Sequence, residues 1–246
     1  MARVVLAALV GFVVGLAGTI CGGGLALAWL RPSRLSQALL LGLSGGIMLA
    51  VVFFDLWPEA WHHGGALYTA AGTGLGVMLI GAFDRILPAI PGLGGRLSRL
   101  AMTGLLIGLG IGTHNFPEGV ALGTAYTAST SPAGWLGLAL LMCLHNIPEG
   151  TIMATTLRMG HASWRRVILA LVLVEVPMGL GAGIGGFFGR LSSPAVSSAL
   201  AFAGGAMFFV VIKELLPASE QAGGRFAAWG GTAMGLIVGT ILTRFV

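Results

Sequence analysis

The sequence is poor in charged residues, and this shortage decides the class of protein. Asp, Glu, Lys and Arg make up 9% of its 246 residues, whereas a soluble domain carries about 25%. So few charges cannot cover a surface that faces water, which excludes a soluble globular fold. The apolar residues form long continuous runs, which excludes a disordered chain and the alternating strands of a lipid-facing β-barrel.

Cysteine and lysine are also scarce. Cys21 and Cys143 are the two cysteines, and both fall inside apolar runs, so a disulfide framework is not expected. Lys213 is the one lysine beside twelve arginines, a composition that favours a GC-rich bacterial genome. The basic residues lie between apolar runs as topology signals. The net charge of +5 therefore does not indicate a nucleic-acid partner.

Eight apolar runs are each close to the length of about 20 residues that crosses a bilayer as a helix. We expect an all-α membrane protein with eight transmembrane helices in a single domain over residues 1–246. The first run is too long for the apolar part of a signal peptide and is expected to be a retained helix. The runs cover residues 4–30, 35–57, 66–83, 100–125, 133–157, 167–188, 195–216 and 226–242.

The arginines predict the orientation of the helices. Nine follow the odd-numbered runs: Arg31, Arg34, Arg85, Arg96, Arg99, Arg158, Arg165, Arg166 and Arg225. Three lie on the opposite side: Arg3, Arg190 and Arg244. The positive-inside rule places the nine in the cytoplasm and both termini outside. We therefore expect a multi-pass protein of the bacterial cytoplasmic (inner) membrane.

A polar pattern, His-Asn-x-Pro-Glu-Gly, occurs twice inside apolar runs. It spans residues 114–119 in the fourth run and 145–150 in the fifth. His and Glu four residues apart share one helix face, so each helix presents an imidazole and a carboxylate together. The prolines at positions 117 and 148 cannot donate a backbone hydrogen bond, and we expect both helices to kink there and to free a carbonyl.

A third carboxylate, Glu175, stands two residues before Pro177 in the sixth run. Ionisable groups inside a membrane are costly and need a partner or a function. Imidazole and carboxylate suit Zn²⁺ and neighbouring divalent cations, and three carboxylates would balance one or two of them. The alternative is polar pairing that only holds helices together. The repeated pattern favours a metal site made of His114, Asn115, Glu118, His145, Asn146, Glu149 and Glu175.

These motifs resemble the signature of the ZIP (Zrt/Irt-like) family of divalent-metal transporters, and most closely its bacterial zinc-uptake branch. The resemblance implies a binuclear centre that Glu118 and Glu149 bridge, with Met48 as a neighbour of the first site. His114 and His145 would complete the first site, and Asn115, Asn146 and Glu175 the second. It also implies an elevator-type carrier, in which helices 1, 4, 5 and 6 move against a homodimer scaffold of helices 2, 3, 7 and 8.

Other acidic residues lie on possible approaches to this centre. Asp55 and Glu59 stand at the outer end of the second run, and Asp55 is two helical turns beyond Met48. Glu214 follows Lys213 at the end of the seventh run. Each is a candidate contact of the cation pathway. A solvated helix end, or for Glu214 a pairing with Lys213, is the competing interpretation.

The predicted function is transport of divalent cations into the cytoplasm, chiefly Zn²⁺ but also Fe²⁺, Mn²⁺, Co²⁺ or Cd²⁺. The cation is the bound substrate, and no organic cofactor or catalytic residue is expected. An intramembrane metallohydrolase is an alternative, although the sequence contains no His-Glu-x-x-His motif. A passive cation channel and a purely structural helical protein are the others.

Overall fold

The chain is described by a computed structural model that covers residues 1–28, 33–86, 99–129 and 132–245. Side chains are described for residues 1–27, 33–82, 111–112, 115–129 and 134–244. Helices are the only regular structure in this part of the chain, which confirms the all-α class. They are α1 (Ala2–Ala28), α2 (Arg34–Val51), α3 (Trp57–Ile86), α4 (Arg99–Ala128), α5 (Pro132–Met159), α6 (Trp164–Leu173), α7 (Val176–Phe188), α8 (Ser193–Val210), α9 (Leu216–Gly223) and α10 (Arg225–Phe245).

Six helical segments in the described part are long and apolar enough to cross a membrane: Ala2–Leu27, Arg34–Ala82, Gly134–Met159, Trp164–Phe188, Ser193–Gly223 and Arg225–Arg244. Large apolar side chains also point outward; Leu67 and Met78, for example, are 74% and 73% exposed. An apolar exterior of this extent matches lipid rather than water. The protein is therefore a multi-pass membrane protein.

The loop expected between the second and third runs, at residues 58–65, is largely helical. α3 begins at Trp57 and continues to Ile86. Its one non-helical residue is Gly65, with φ 68° and ψ −170°. Glycine adopts positive φ without a Cβ penalty, so a single residue redirects the chain where the sequence predicted a longer loop.

The sixth run is divided, and the seventh changes its helical winding. Helix α6 ends at Leu173 and α7 begins at Val176, with Pro at its second position. Proline favours the first turn of a helix and disfavours a helical residue before it. The seventh run passes through a π-helical segment, Val211–Leu215, between α8 and α9. A second π-helical segment, Val52–Leu56, joins α2 to α3.

Helices α4 and α5 continue past their internal prolines, Pro117 and Pro148, without an interruption. The expected kinks at these positions stay a prediction. Part of the loop expected between residues 84 and 99, at 87–98, lies outside the described residues. So do the side chains of Arg31, Arg85, Arg96 and Arg99.

The helices pack as two bundles. The first bundle comprises α1, α4, α5, α6 and α7, and the second comprises α2, α3, α8, α9 and α10. The two meet chiefly where α2 lies on α5 and α8 lies on α4. Within the first bundle, Gly119 of α4 lies so close to α7 that a Cβ there would overlap the carbonyl of Met178. Backbones this close are typical of membrane helices joined by small residues.

Candidate metal centre

The two repeated motifs lie side by side on α4 and α5, in the interior of the first bundle. Asn115, Glu118 and Asn146 are 0% exposed, and His145 and Glu149 are 1% and 2% exposed. Each motif occupies the middle of its helix, so the same spacing brings both carboxylates to a similar depth. His114 belongs to α4, but its side chain lies outside the described residues.

The two motifs touch through one imidazole and one carboxylate. His145 Nε2 lies 2.9 Å from Glu118 Oε1 across the α4–α5 interface. The other ring nitrogen, Nδ1, lies 3.0 Å from the carbonyl of Leu141, one turn earlier in α5. That second contact fixes the orientation of the ring, as is usual for histidines that ligate metals.

Glu175 reaches the same region from the break between α6 and α7. It is 0% exposed and is the residue directly before α7. Its Oε1 accepts a hydrogen bond from the hydroxyl of Thr19 in α1. The amide of Asn115 donates to the carbonyl of Val174 at 3.1 Å, which ties the α4 motif to the same break. The interruption of the sixth run therefore positions a third carboxylate beside the two motifs.

Ser44 brings the second bundle into this cluster. It lies in α2, is 0% exposed, and donates to Glu149 Oε1 at 2.7 Å. Its hydroxyl is also 3.3 Å from the carbonyl of His145. Sequence reasoning missed Ser44 and Thr19. The one signal available was a hydroxyl residue inside an apolar run, which is common in membrane helices and does not by itself indicate a site.

Four side chains of the cluster, those of Asn115, Glu118, Glu149 and Glu175, have one polar atom in a hydrogen bond and one without a partner, whereas Asn146 has a partner for neither atom. Among the described residues, five buried side-chain oxygens have no hydrogen-bond partner: Asn115 Oδ1, Glu118 Oε2, Asn146 Oδ1, Glu149 Oε2 and Glu175 Oε2. Buried polar atoms are rarely left unpaired, because each costs about 1–3 kcal/mol. Carboxylate and amide oxygens are groups that could ligate a cation.

Acidic groups outnumber basic groups in the cluster. It contains three carboxylates and one described imidazole. Within the described side chains, His145 is the one basic residue that pairs with any of these carboxylates. A divalent cation would therefore offset both the charge and the unpaired oxygens.

The cluster is not a closed coordination sphere. No three His, Cys, Asp or Glu side chains of the described residues converge on one ion position. Asn115 and Asn146 could add amide oxygens to such a position, and the side chain of His114 lies outside the described residues. The described geometry therefore consists of paired groups and bare oxygens rather than a preformed four-ligand site.

Met48, the predicted neighbour of the centre, and the predicted approach residues Asp55, Glu59 and Glu214 belong to helical segments of the second bundle. Met48 is fully buried in α2. Asp55 lies half-buried in the π-helical segment Val52–Leu56, and Glu214 lies half-buried in Val211–Leu215. Glu59 is exposed, and its Oε1 is 3.2 Å from Nε2 of His63. That contact agrees with the interpretation of a solvated helix end for Glu59.

Asp55 and Glu214 share a local pattern that the sequence reading did not connect. Each is an acidic residue followed by Leu, one further residue and Pro, and each lies in a π-helical segment. Proline cannot donate to the carbonyl four residues earlier. In the first of these segments, the N–H of Trp57, which directly precedes Pro58, donates to the carbonyl of Val52. That carbonyl lies five residues back, which is the wider π spacing.

Comparison with known proteins identifies similar chains. Residues 93–243 match the family model described as ZIP Zinc transporter. Zinc transporter GufA of Myxococcus xanthus is 33% identical over 242 residues, which cover 92% of this chain and 94% of that protein. Zinc transporter ZupT of Corynebacterium aurimucosum is 30% identical over 248 residues, 89% of each chain. Zinc transporter ZupT of Escherichia coli O127:H6 is 32% identical over 222 residues, 83% of each.

Proposed function

Because the chain belongs to the ZIP family of zinc transporters, we propose that it carries divalent cations, chiefly Zn²⁺, across a membrane into the cytoplasm. The family is one of transporters rather than enzymes, as the names of the relatives state. The apolar exterior and the buried polar cluster support this function, since a carrier needs a polar site within a lipid-soluble body. Fe²⁺, Mn²⁺, Co²⁺ and Cd²⁺ are candidate further substrates, because carboxylate-rich sites are permissive.

The observation that carries the proposal is the set of five unpaired oxygens in the first bundle. They belong to Asn115, Glu118, Asn146, Glu149 and Glu175. With His114 and His145 they would form a binuclear centre in which Glu118 and Glu149 bridge two cations. Carboxylate, amide and imidazole groups together offer enough donors for two ions.

The contact between His145 and Glu118 is compatible with a shared cation. Both atoms are ordinary zinc ligands at about 2.0–2.2 Å, and in a tetrahedral site two such ligands lie about 3.3 Å apart. Nε2 and Oε1 are 2.9 Å apart. A shift of a few tenths of an ångström would therefore let both groups ligate one ion.

We further propose eight membrane crossings with both termini outside. The segment Arg34–Ala82 has 49 residues, about 74 Å of helix at about 1.5 Å per residue. That is more than two bilayer cores of about 30 Å, and Gly65 breaks it, so we assign it two crossings. α4, with 30 residues, supplies the eighth. The distribution of arginines supports the orientation and placement in a bacterial inner membrane.

The division into bundles supports a carrier of the elevator type. The first bundle holds every residue of the proposed centre, and the second would be the scaffold and the contact surface of a homodimer. Movement of the first bundle would then take the cation from one side of the membrane to the other. Met48, Asp55, Glu59 and Glu214 are proposed as neighbours of the centre or of its two approaches.

The test is Zn²⁺ entry into proteoliposomes that contain a metal-sensitive dye. We expect saturable entry in the native protein and none in Glu149→Ala, with Glu220→Ala as a matched control outside the cluster. Competition by Fe²⁺, Mn²⁺, Co²⁺ and Cd²⁺ then measures selectivity. Entry that does not saturate would indicate a channel, and equal entry in Glu149→Ala would overturn the proposed site.

A further inference from the structure

Ser44 differs from every other described group that holds a side chain of the cluster. Glu175 is held by Thr19 of α1, Glu118 by His145 of α5, and Asn115 by the Val174 carbonyl beside α6. Those three partners belong to the first bundle. Ser44, which holds Glu149, belongs to α2 of the second bundle.

The hydrogen bond of Ser44 is short and shielded from solvent. The distance from its hydroxyl to Glu149 Oε1 is 2.7 Å, and the two residues are 0% and 2% exposed. Hydrogen bonds to a carboxylate are stronger than those between neutral groups. Oε1 of Glu149 accepts this hydrogen bond, and Oε2 has no partner among the described residues. Ser44 thus orients one proposed ligand through a contact that crosses the interface between the bundles.

We propose that Ser44 makes the cation affinity of the centre depend on the relative position of the two bundles. In the arrangement described here, Ser44 holds Glu149 with one oxygen free for a cation. When the first bundle moves, Thr19 and His145 travel with the centre, whereas Ser44 stays on the scaffold and Glu149 loses its partner. This inference rests on the proposed function, and Ser44 is a positioning residue rather than a cation ligand.

The physical reason for an affinity change is preorganisation. A carboxylate held in place before binding loses less conformational freedom when it ligates a cation. Loss of a hydrogen-bond partner behind a metal ligand typically lowers affinity about 10- to 100-fold. The centre should therefore bind more tightly when it opens to one side of the membrane than when it opens to the other, which promotes release of the cation.

The experiment measures half-saturating Zn²⁺ concentrations from both faces of proteoliposomes of known orientation. We expect Ser44→Ala to raise this concentration about tenfold at one face and to leave the other face unchanged. Thr19→Ala, which removes a partner that travels with the centre, should raise it at both faces. Ser44→Thr keeps the hydroxyl and should restore native behaviour.

Ser219→Ala is the matched control, because its hydroxyl donates to the Ala38 carbonyl at 2.6 Å within the second bundle. It should change neither face. An equal change at both faces in Ser44→Ala, or no change at either, would overturn the inference while native transport leaves the proposed function standing. Absence of Zn²⁺ flux in the native protein would instead count against the proposed function.

Discussion

The two bundles differ in whether their buried side-chain oxygens have hydrogen-bond partners. In the second bundle, Ser197 donates to the Ala60 carbonyl at 2.7 Å and Ser219 donates to the Ala38 carbonyl at 2.6 Å. In the first, five buried oxygens have no partner among the described residues, and the second bundle holds no such oxygen in the same part of the chain. Polar groups that only join helices are satisfied by those helices. Buried oxygens without a partner are therefore candidate ligands for a cation.

Close packing does not explain this difference, since both bundles pack through glycine. A Cβ at Gly119 would overlap the Met178 carbonyl in the first bundle, and one at Gly46 would overlap the Thr232 carbonyl in the second. The bundles thus share one packing principle. What separates them is the set of buried oxygens without partners in the first, whose unfavourable free energy a bound cation would reduce.

The largest effect is expected from Glu118→Gln in the first bundle. The change removes a charge and one oxygen of a proposed ligand, so Zn²⁺ affinity should fall more than the about 100-fold that loss of a supporting hydrogen bond can cost. Isothermal titration of purified protein measures this. Glu220→Gln is the counterpart in the second bundle, where Glu220 accepts from Trp229 Nε1 at 3.0 Å. Equal affinities in the two variants would remove the distinction between the bundles.

A smaller effect, on stability, is expected from Gly119→Ala. The added methyl group would meet Met178 and lie 2.8 Å from the backbone nitrogen of Ala182. Overpacking of this kind costs about 1–3 kcal/mol, which should lower the unfolding temperature in detergent. Gly74→Ala is the control, because no atom lies within 4 Å of a Cβ there. An unchanged unfolding temperature in Gly119→Ala would contradict the close approach of α4 and α7.

The smallest effect is expected from Ser197→Ala in the second bundle. It removes one satisfied hydrogen bond to the Ala60 carbonyl and should cost about 1 kcal/mol of unfolding free energy. Zn²⁺ transport should keep its native half-saturation, since Ser197 lies outside the cluster. A change of half-saturation comparable to that of Thr19→Ala would show that buried hydroxyls of both bundles act on the centre.

Much of the cluster was predictable, because the separation of two residues along a helix fixes whether their side chains share a face. Glu149 is the fourth residue after His145, and any α-helix places such a pair on one face. Glu175 was recognisable as a carboxylate near a proline inside an apolar run. Thr19 and Ser44 were not, since they lie 156 and 105 residues along the chain from the carboxylates they contact. No local pattern encodes contacts of that separation.

The helix breaks show the same limit. The sequence predicted one helix over residues 167–188, and Pro177 did not by itself indicate that the helix would stop and restart there. Gly65 was one of 42 glycines, and nothing in its neighbours marked it as the residue with positive φ. In both places the direction of the next helix is set by its packing against the rest of the bundle.

The sequence by itself determined that this protein lies in a membrane and that two His-Asn-x-Pro-Glu-Gly motifs place candidate cation ligands within it. Both follow from composition and helical periodicity, which are local. Only the tertiary structure decided which carboxylate oxygens are held and which are bare, and that Glu149 is held from the other bundle by Ser44. Those facts depend on the register between helices, which close packing of distant segments establishes.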